Sequence, residues 1–120
     1  MYKLEKELEL IKDSEISVFT KGCLEKAPEY FWTIPSSFTG RHHPVDERGE
    51  GGEVLHTQRV VKVVDDLCVF YDIKNKKRDC IIAAAIMHDL CKAGYPNSEN
   101  RTVSGHGGLW INVAEKAINQ

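Results

Sequence analysis

The chain has 120 residues, enough for one domain that buries about two-thirds of its unfolded surface. Its 16 basic and 18 acidic residues give a net charge of -2, which favours neither nucleic acid nor an anionic membrane as a non-specific partner. No stretch approaches the roughly 18 apolar residues of a membrane span, and the N-terminus alternates charges where a signal peptide is apolar, so we expect a soluble, cytoplasmic protein.

Hydrophobic residues at helical spacing predict two N-terminal helices. The first covers residues 2–12, where leucine and isoleucine form one stripe among lysines and glutamates. The second is predicted to begin at the Asp13–Ser14 cap and to stop before Pro28. Both helices should pack their apolar sides onto the remainder of the domain.

Residues 28–52 differ in composition and predict one long loop, with at most a short helical turn around Tyr30–Thr33. Three prolines and four glycines in this segment interrupt any long helix. A loop of this length in a small domain is usually functional or disordered. Its four aromatic residues favour packing over disorder.

Helical periodicity returns at Glu53 and continues through the core region, residues 53–118. The valine stripe of the first helix there extends backwards to His56, which therefore faces the core. The next helix, from Arg78 or Asp79 to Cys91, is apolar on nearly all sides, as expected of a central helix. Ser104 is predicted to cap a last helix that turns His106 inward.

The pair His88–Asp89 follows eight uncharged residues at the predicted end of the central helix. Burial and the negative end of the helix dipole both disfavour an ionised carboxylate there. The group must then be neutralised, paired or bound to a metal, and an adjacent imidazole favours a divalent cation. His56 or His106 alone would more often be a packing residue. Together with the pair they offer three imidazoles and one carboxylate for one cation, with positions left for water.

Three motifs carry a resemblance to a known family: GGEVLHT at 51–57, AAIMHDLCKAG at 84–94 and SGHGG at 104–108. Together, over roughly residues 40–118, they resemble the HD superfamily of metal-dependent phosphohydrolases. The stretch RHHPVDERGEGGEVLHT is also similar to the HHxxxGG(x)xHT opening of members that act on RNA ends or other nucleic acids. The resemblance implies an all-α, compact HD-domain helical bundle over residues 1–120, with residues 1–27 as N-terminal helices, and hydrolysis of a nucleotide or nucleic-acid phosphoester by a metal-activated water.

The resemblance also implies roles for individual residues. His56, His88 and Asp89 match the family's metal ligands, and His106 lies in the region of an additional histidine. The cofactor is then a divalent cation, one of Mn, Mg, Fe, Ni or Zn, and Asp89 would bridge a second one. Lys92, the lysine of HDxxK, is similar to a residue that contacts substrate phosphate or a neighbouring carboxylate, and we place it with Asp89 in the catalytic set.

Three residues before Pro44 are candidates for holding phosphate. Arg41, His42 and His43 place a cation and two imidazoles in the loop that precedes His56. In the predicted reaction, His43 and Lys92 stabilise the charge that develops on the phosphoryl oxygens. The alternative is a solvated or structural loop, which we favour for His42 and consider equally plausible for His43.

One departure from the family pattern concerns the last metal ligand, which is an aspartate, whereas no aspartate follows Asp89 in this chain. The chain is a fragment, or it uses another ligand, or the site is degenerate. Asp46, Glu47 and Glu53 lie near the histidine-rich loop and could supply an oxygen, although we expect them to be solvated loop carboxylates. The alternatives to a phosphohydrolase are therefore a non-catalytic metal- or nucleotide-binding module and a purely structural protein.

Overall fold

The computed structural model describes residues 4–118, and within this range the chain is helical without strands. The five α-helices of the described residues are α1 (Glu5–Glu9), α2 (Ser14–Lys26), α3 (Gly52–Phe70), α4 (Asn75–Met87) and α5 (Trp110–Ile118), and short 3-10 turns cover Glu29–Trp32, Val45–Glu47 and His106–Gly108. This confirms the all-α bundle. Helix α1 is shorter than the predicted range 2–12, of which residues 2 and 3 lie outside the described residues.

Helix α4 lies at the centre of the bundle, where it packs against α2 and α3, while α5 packs against α2. Ile82 and Ile86 on α4 and Leu90 just after it are completely buried. The helix is not apolar and buried on every side, however, because Cys80 and Ala84 are exposed on one face. No helix among residues 4–118 combines the length and apolar character needed to cross a bilayer.

The start of α4 ties down the junction between α1 and α2. Asp79 is buried and accepts hydrogen bonds from the backbone amides of Lys12 at 3.1 Å and Asp13 at 2.8 Å. Arg78 donates to the carbonyl oxygen of Leu10 at 2.7 Å. Asp13 also caps α2 as predicted, since its carboxylate accepts from the amide of Ile16 at 3.0 Å.

Backbone hydrogen bonds hold residues 28–52 together and join them to the start of α3. The amide of Ser36 donates to Glu47 at 2.9 Å, and the amide of Glu53 donates to Ile34 at 3.0 Å. Gly51 has a left-handed φ of 75° at the start of α3, and a Cβ on Gly52 would overlap the carbonyl oxygen of Glu47. The two glycines thus allow the loop to lie directly on the helix end.

The predicted boundaries of the last two helices are also wrong, and α4 begins at Asn75, before Arg78. Helix α4 ends at Met87 rather than Cys91, so Asp89 lies in the turns that follow it. Ser104 does not cap α5, because Gly105, with a φ of 73°, leads instead into the 3-10 turn that contains His106. Glycines on both sides of His106 explain why the chain turns there before the α-helix begins at Trp110.

Candidate metal centre

Asp89 is the meeting point of the three histidines predicted as metal ligands. It is 5% exposed. One carboxylate oxygen, Oδ2, lies 3.2 Å from Nε2 of His88 and 3.7 Å from Nε2 of His56. The other oxygen lies 3.1 Å from Nε2 of His106. The structure therefore brings together all four residues expected to bind the cation.

The Nδ1 nitrogen of each imidazole, on the side of the ring away from Asp89, faces an acceptor. Nδ1 of His88 lies 2.6 Å from the carbonyl oxygen of Ala85, and Nδ1 of His106 lies 3.0 Å from that of Val103. Nδ1 of His56 lies 3.2 Å from the carboxylate of Glu47. A proton on each Nδ1 leaves the Nε2 lone pair directed at Asp89, which is the arrangement usual for metal-bound histidine.

The donor set fits a divalent cation. His56, His88 and Asp89 each offer one ligand atom, and these atoms lie within 4.8 Å of one another. Imidazole nitrogen and carboxylate oxygen suit Zn²⁺, Fe²⁺, Mn²⁺ and Ni²⁺. One ligand atom from each of His43, Glu47 and His56 also lies within 4.8 Å of the others. His56 belongs to both groups because its two ring nitrogens face opposite ways.

Neighbouring groups favour the ionised form of Asp89, so the carboxylate is paired, which is one of the three outcomes that its position in the sequence allowed. Burial alone would raise the pKa of Asp89, but the contacts of His88 and Glu53 and the charge of Lys92 outweigh it and hold the pKa well below its usual range. Burial would likewise lower the pKa of His88, yet the bond to Asp89 raises it overall. His56 behaves differently. Burial lowers its pKa overall, although the charges of Asp89 and Glu47 raise it.

Two carboxylates expected to be solvated are instead buried, so that prediction is wrong for Glu47 and Glu53. Glu47 is 2% exposed. Its Oε1 lies 3.2 Å from Nδ1 of both His43 and His56, and its Oε2 accepts from Arg59 at 2.6 Å. Burial raises the pKa of Glu47, but the hydrogen bonds from Arg59 and His43 lower it overall. Only the glycine pair at 51–52 hinted at this packing, because it implies close approach of another segment.

Glu53 and Lys92 form a buried layer beneath Asp89. Glu53 is completely buried, and neither of its carboxylate oxygens has a hydrogen-bond partner within the described residues. Burial and the adjacent Asp89 raise its pKa to about 10. Nζ of Lys92 lies 3.7 Å from each of the two carboxylates and donates to the carbonyl oxygen of Ser36. Of the two contacts predicted for Lys92, the structure shows the one to a neighbouring carboxylate.

The predicted phosphate-binding residues are only partly brought to the centre. His43 is half-buried, and its ring centroid lies 5.0 Å from that of His56. Arg41 and His42 are exposed on the loop, and no hydrogen bond or ion pair within residues 4–118 joins their side chains to the histidines. Asp46 is also directed away, since Arg59 holds it with contacts of 2.9 and 2.5 Å.

Comparison with known proteins gives no independent assignment: no family model, no curated protein and no solved structure matches the chain.

Proposed function

We propose that this protein is a metal-dependent phosphohydrolase that acts on a nucleotide or nucleic-acid phosphoester. The observation that carries the proposal is the convergence of three Nε2 atoms on Asp89, with every Nδ1 turned towards an acceptor. Three lone pairs and a carboxylate repel one another unless protons or a cation lie between them. The HD-like motifs around these residues add phosphoester hydrolysis as the chemistry.

His56, His88 and Asp89 would hold the cation, with His106 at the second oxygen of Asp89. A divalent ion bound there lowers the pKa of a coordinated water and polarises a phosphoryl oxygen. A set of three or four protein ligands leaves coordination positions open, as hydrolysis requires.

The surrounding residues prepare the centre rather than react. Glu47 fixes the ring of His56, while Lys92 and Glu53 support Asp89 from the interior. His43 lies at the rim beside His56 and is the residue of the loop best situated to contact a phosphoryl oxygen. In this proposal Arg41 and His42, exposed on the same loop, approach the more distant part of a long substrate.

The test combines metal binding with turnover. The purified protein is titrated with Mn²⁺, Mg²⁺, Fe²⁺, Ni²⁺ and Zn²⁺, then assayed with each ion on nucleotides and on oligonucleotides with phosphorylated ends. We expect metal-dependent release of phosphate or nucleotide that falls at least 100-fold in His88→Ala and Asp89→Asn. Asp66→Asn, on the exposed side of α3, is the matched control and should retain activity.

The competing function is a metal-binding module without turnover, because among the described residues Asp89 is the one carboxylate that meets the Nε2 atoms of the three histidines. Tight binding of an ion with no hydrolysis of any ester would select this alternative. Binding of none of the five ions, together with an unchanged melting temperature when they are added, would overturn both metal-dependent functions.

A further inference from the structure

A large pocket opens directly from the candidate metal centre. It has a volume of about 700 Å³ and lies between α2, α4 and the beginning of α5. His88, Asp89 and His106 form part of its wall. This volume lies within the range of about 300–1,000 Å³ that is usual for small-molecule sites.

Away from the histidines the pocket is apolar and partly aromatic. Phe19 and Ile16 of α2 face it from one side and Trp110 of α5 from another, and Met87 adds a flexible thioether. Besides Met87, the α4 wall consists of the small residues Cys80, Ala83 and Ala84. Because Ala84 is small and exposed, it leaves the space between the aromatic side chains open.

The pocket has a direction. The backbone amide of Asp13, at the start of α2, donates to the carboxylate of Asp79, in the second turn of α4, so these two parts of the helices are close together. Glu15 and Cys80 therefore mark one end of the pocket, and His88 marks the other, about 12 Å further along the axis of α4. A ligand with its phosphate at the histidines would extend towards Glu15.

The charge of the lining restricts the ligand. None of the described residues that line the pocket is lysine or arginine, and its carboxylates are those of Asp89 and Glu15. A chain of phosphates would meet apolar walls and negative charge, without a cationic partner. An uncharged ring system instead suits Phe19 and Trp110, whose faces stack on flat rings.

We propose that this pocket receives the uncharged aromatic part of a phosphate monoester, a body of about nucleoside size. The position of the phosphate rests on the proposed function. An amino or hydroxyl group at the far end of the ligand would donate to Glu15. The protein then selects monophosphates over di- and triphosphates, and selects esters with a ring over esters without one.

The pocket can be blocked in α4 and left open in a control. Ala84→Trp places an indole in the cavity, and Cys80→Leu is a milder block on the same face of the helix. Val18→Trp adds the same indole at a site on α2 that is 72% exposed and outside the lining. Circular dichroism and melting temperatures establish that each variant is folded.

Binding of the ring is measured separately from catalysis. Adenosine is titrated calorimetrically into metal-free protein, and we expect at least tenfold weaker binding in Ala84→Trp, an intermediate loss in Cys80→Leu and no change in Val18→Trp. No binding by the wild type, or equal binding by all four proteins, would overturn the inference.

Catalysis supplies the second comparison, with Mn²⁺ and two esters that share a primary alcohol leaving group. We expect kcat/KM for adenosine monophosphate to exceed that for ribose 5-phosphate at least tenfold, and this ratio to fall about tenfold in Ala84→Trp. Hydrolysis with a ratio that Ala84→Trp does not change would refute the pocket while the proposed function stands. A third outcome is that Ala84→Trp blocks adenosine binding while the wild type hydrolyses no ester. The ring pocket would then stand and the proposed function would be refuted.

Discussion

The buried carboxylate of Glu47 lies 3.2 Å from Nδ1 of His56, so a residue of the long loop orients a ring carried by α3. The opposite nitrogen, Nε2, is thereby aimed at Asp89. An outer carboxylate of this kind fixes the tautomer and raises the basicity of a metal-binding imidazole. The loop thus contributes to the candidate metal centre through His56.

Removing this carboxylate should weaken metal binding without removing a ligand of the central set. We expect Glu47→Ala to lower Mn²⁺ or Zn²⁺ affinity about 10–100-fold, and Glu47→Gln to lower it less because the amide oxygen can still accept from Nδ1. Titration calorimetry measures both. Glu50→Ala, an exposed glutamate of the same loop, is the control, and equal affinities for Glu47→Ala and Glu50→Ala would contradict the role of Glu47.

The contact between Gly52 and the loop backbone gives a prediction about stability. A methyl group at position 52 would overlap the carbonyl of Glu47, and backbone cannot move away as a flexible side chain can. Gly52→Ala should therefore destabilise the fold by about 1–3 kcal/mol, as overpacking does. Gly49→Ala, where an added Cβ meets nothing within 4 Å, should leave the urea midpoint almost unchanged. Equal midpoints for the two variants would refute the contact.

The raised pKa of Glu53 predicts how the free energy of unfolding depends on pH. Its pKa rises from 4.5 to about 10 in the folded state, so between these values the native chain keeps a proton that the unfolded chain has lost. This contribution to stability is complete below pH 4.5 and is lost as the pH rises towards 10, by up to about 1.4 kcal/mol per pH unit.

The measurement for Glu53 is a series of unfolding curves from pH 5 to about pH 9 in the presence of a chelator. We expect Glu53→Gln to flatten the decline and to gain stability relative to the wild type at the alkaline end. Glu25→Gln, at an exposed position of α2, should follow the wild-type curve. A Glu53→Gln curve parallel to the wild type would show that Glu53 is ionised in the native state.

The hydrogen bonds of Asp79 give a prediction about stability away from the candidate metal centre. Asp79→Ala leaves the amides of Lys12 and Asp13 without their buried acceptor, which should cost about 1–3 kcal/mol of unfolding free energy. Thermal unfolding of this variant beside Asp66→Ala, whose side chain is 70% exposed, measures the difference. A melting temperature as high as that of Asp66→Ala would be inconsistent with the role of Asp79.

The sequence predicted the grouping of His88 and Asp89 because the apolar run of α4 placed them at a buried end. His56 was predicted to face inward from the valine stripe of α3, but that stripe is wrong: Val63 and Leu67 are 57% and 48% exposed. The buried side of α3 instead carries Val54, Thr57 and Val61, and the half-buried His56 lies beside it. His106 was predicted to face inward from helical periodicity as well, although it lies in a 3-10 turn and not in the helix. These residues could be grouped before any tertiary contact was known.

The contacts of the buried carboxylates were not predicted. Glu47 lies in a loop, where no period relates a residue to a face, and its burial depends on the contact of that loop with α3. Glu53 lies three residues before His56 on α3, so helical spacing is compatible with its burial, but its contact with Lys92 is a tertiary relation. The lowered pKa of Asp89 has both origins, since His88 and Lys92 are its neighbours in the sequence whereas Glu53 belongs to another helix.

The backbone bonds that hold residues 28–52 together and join them to α3 have a consequence for hydrogen exchange. The amides of Ser36, Gly51 and Glu53 donate to carbonyls of distant loop residues, although most of this segment has no regular secondary structure. They should exchange with solvent deuterium about as slowly as amides within α3, whereas the amide of Arg41, exposed at the loop tip, exchanges rapidly. A segment irregular in conformation would then open only together with the helices that carry the histidines.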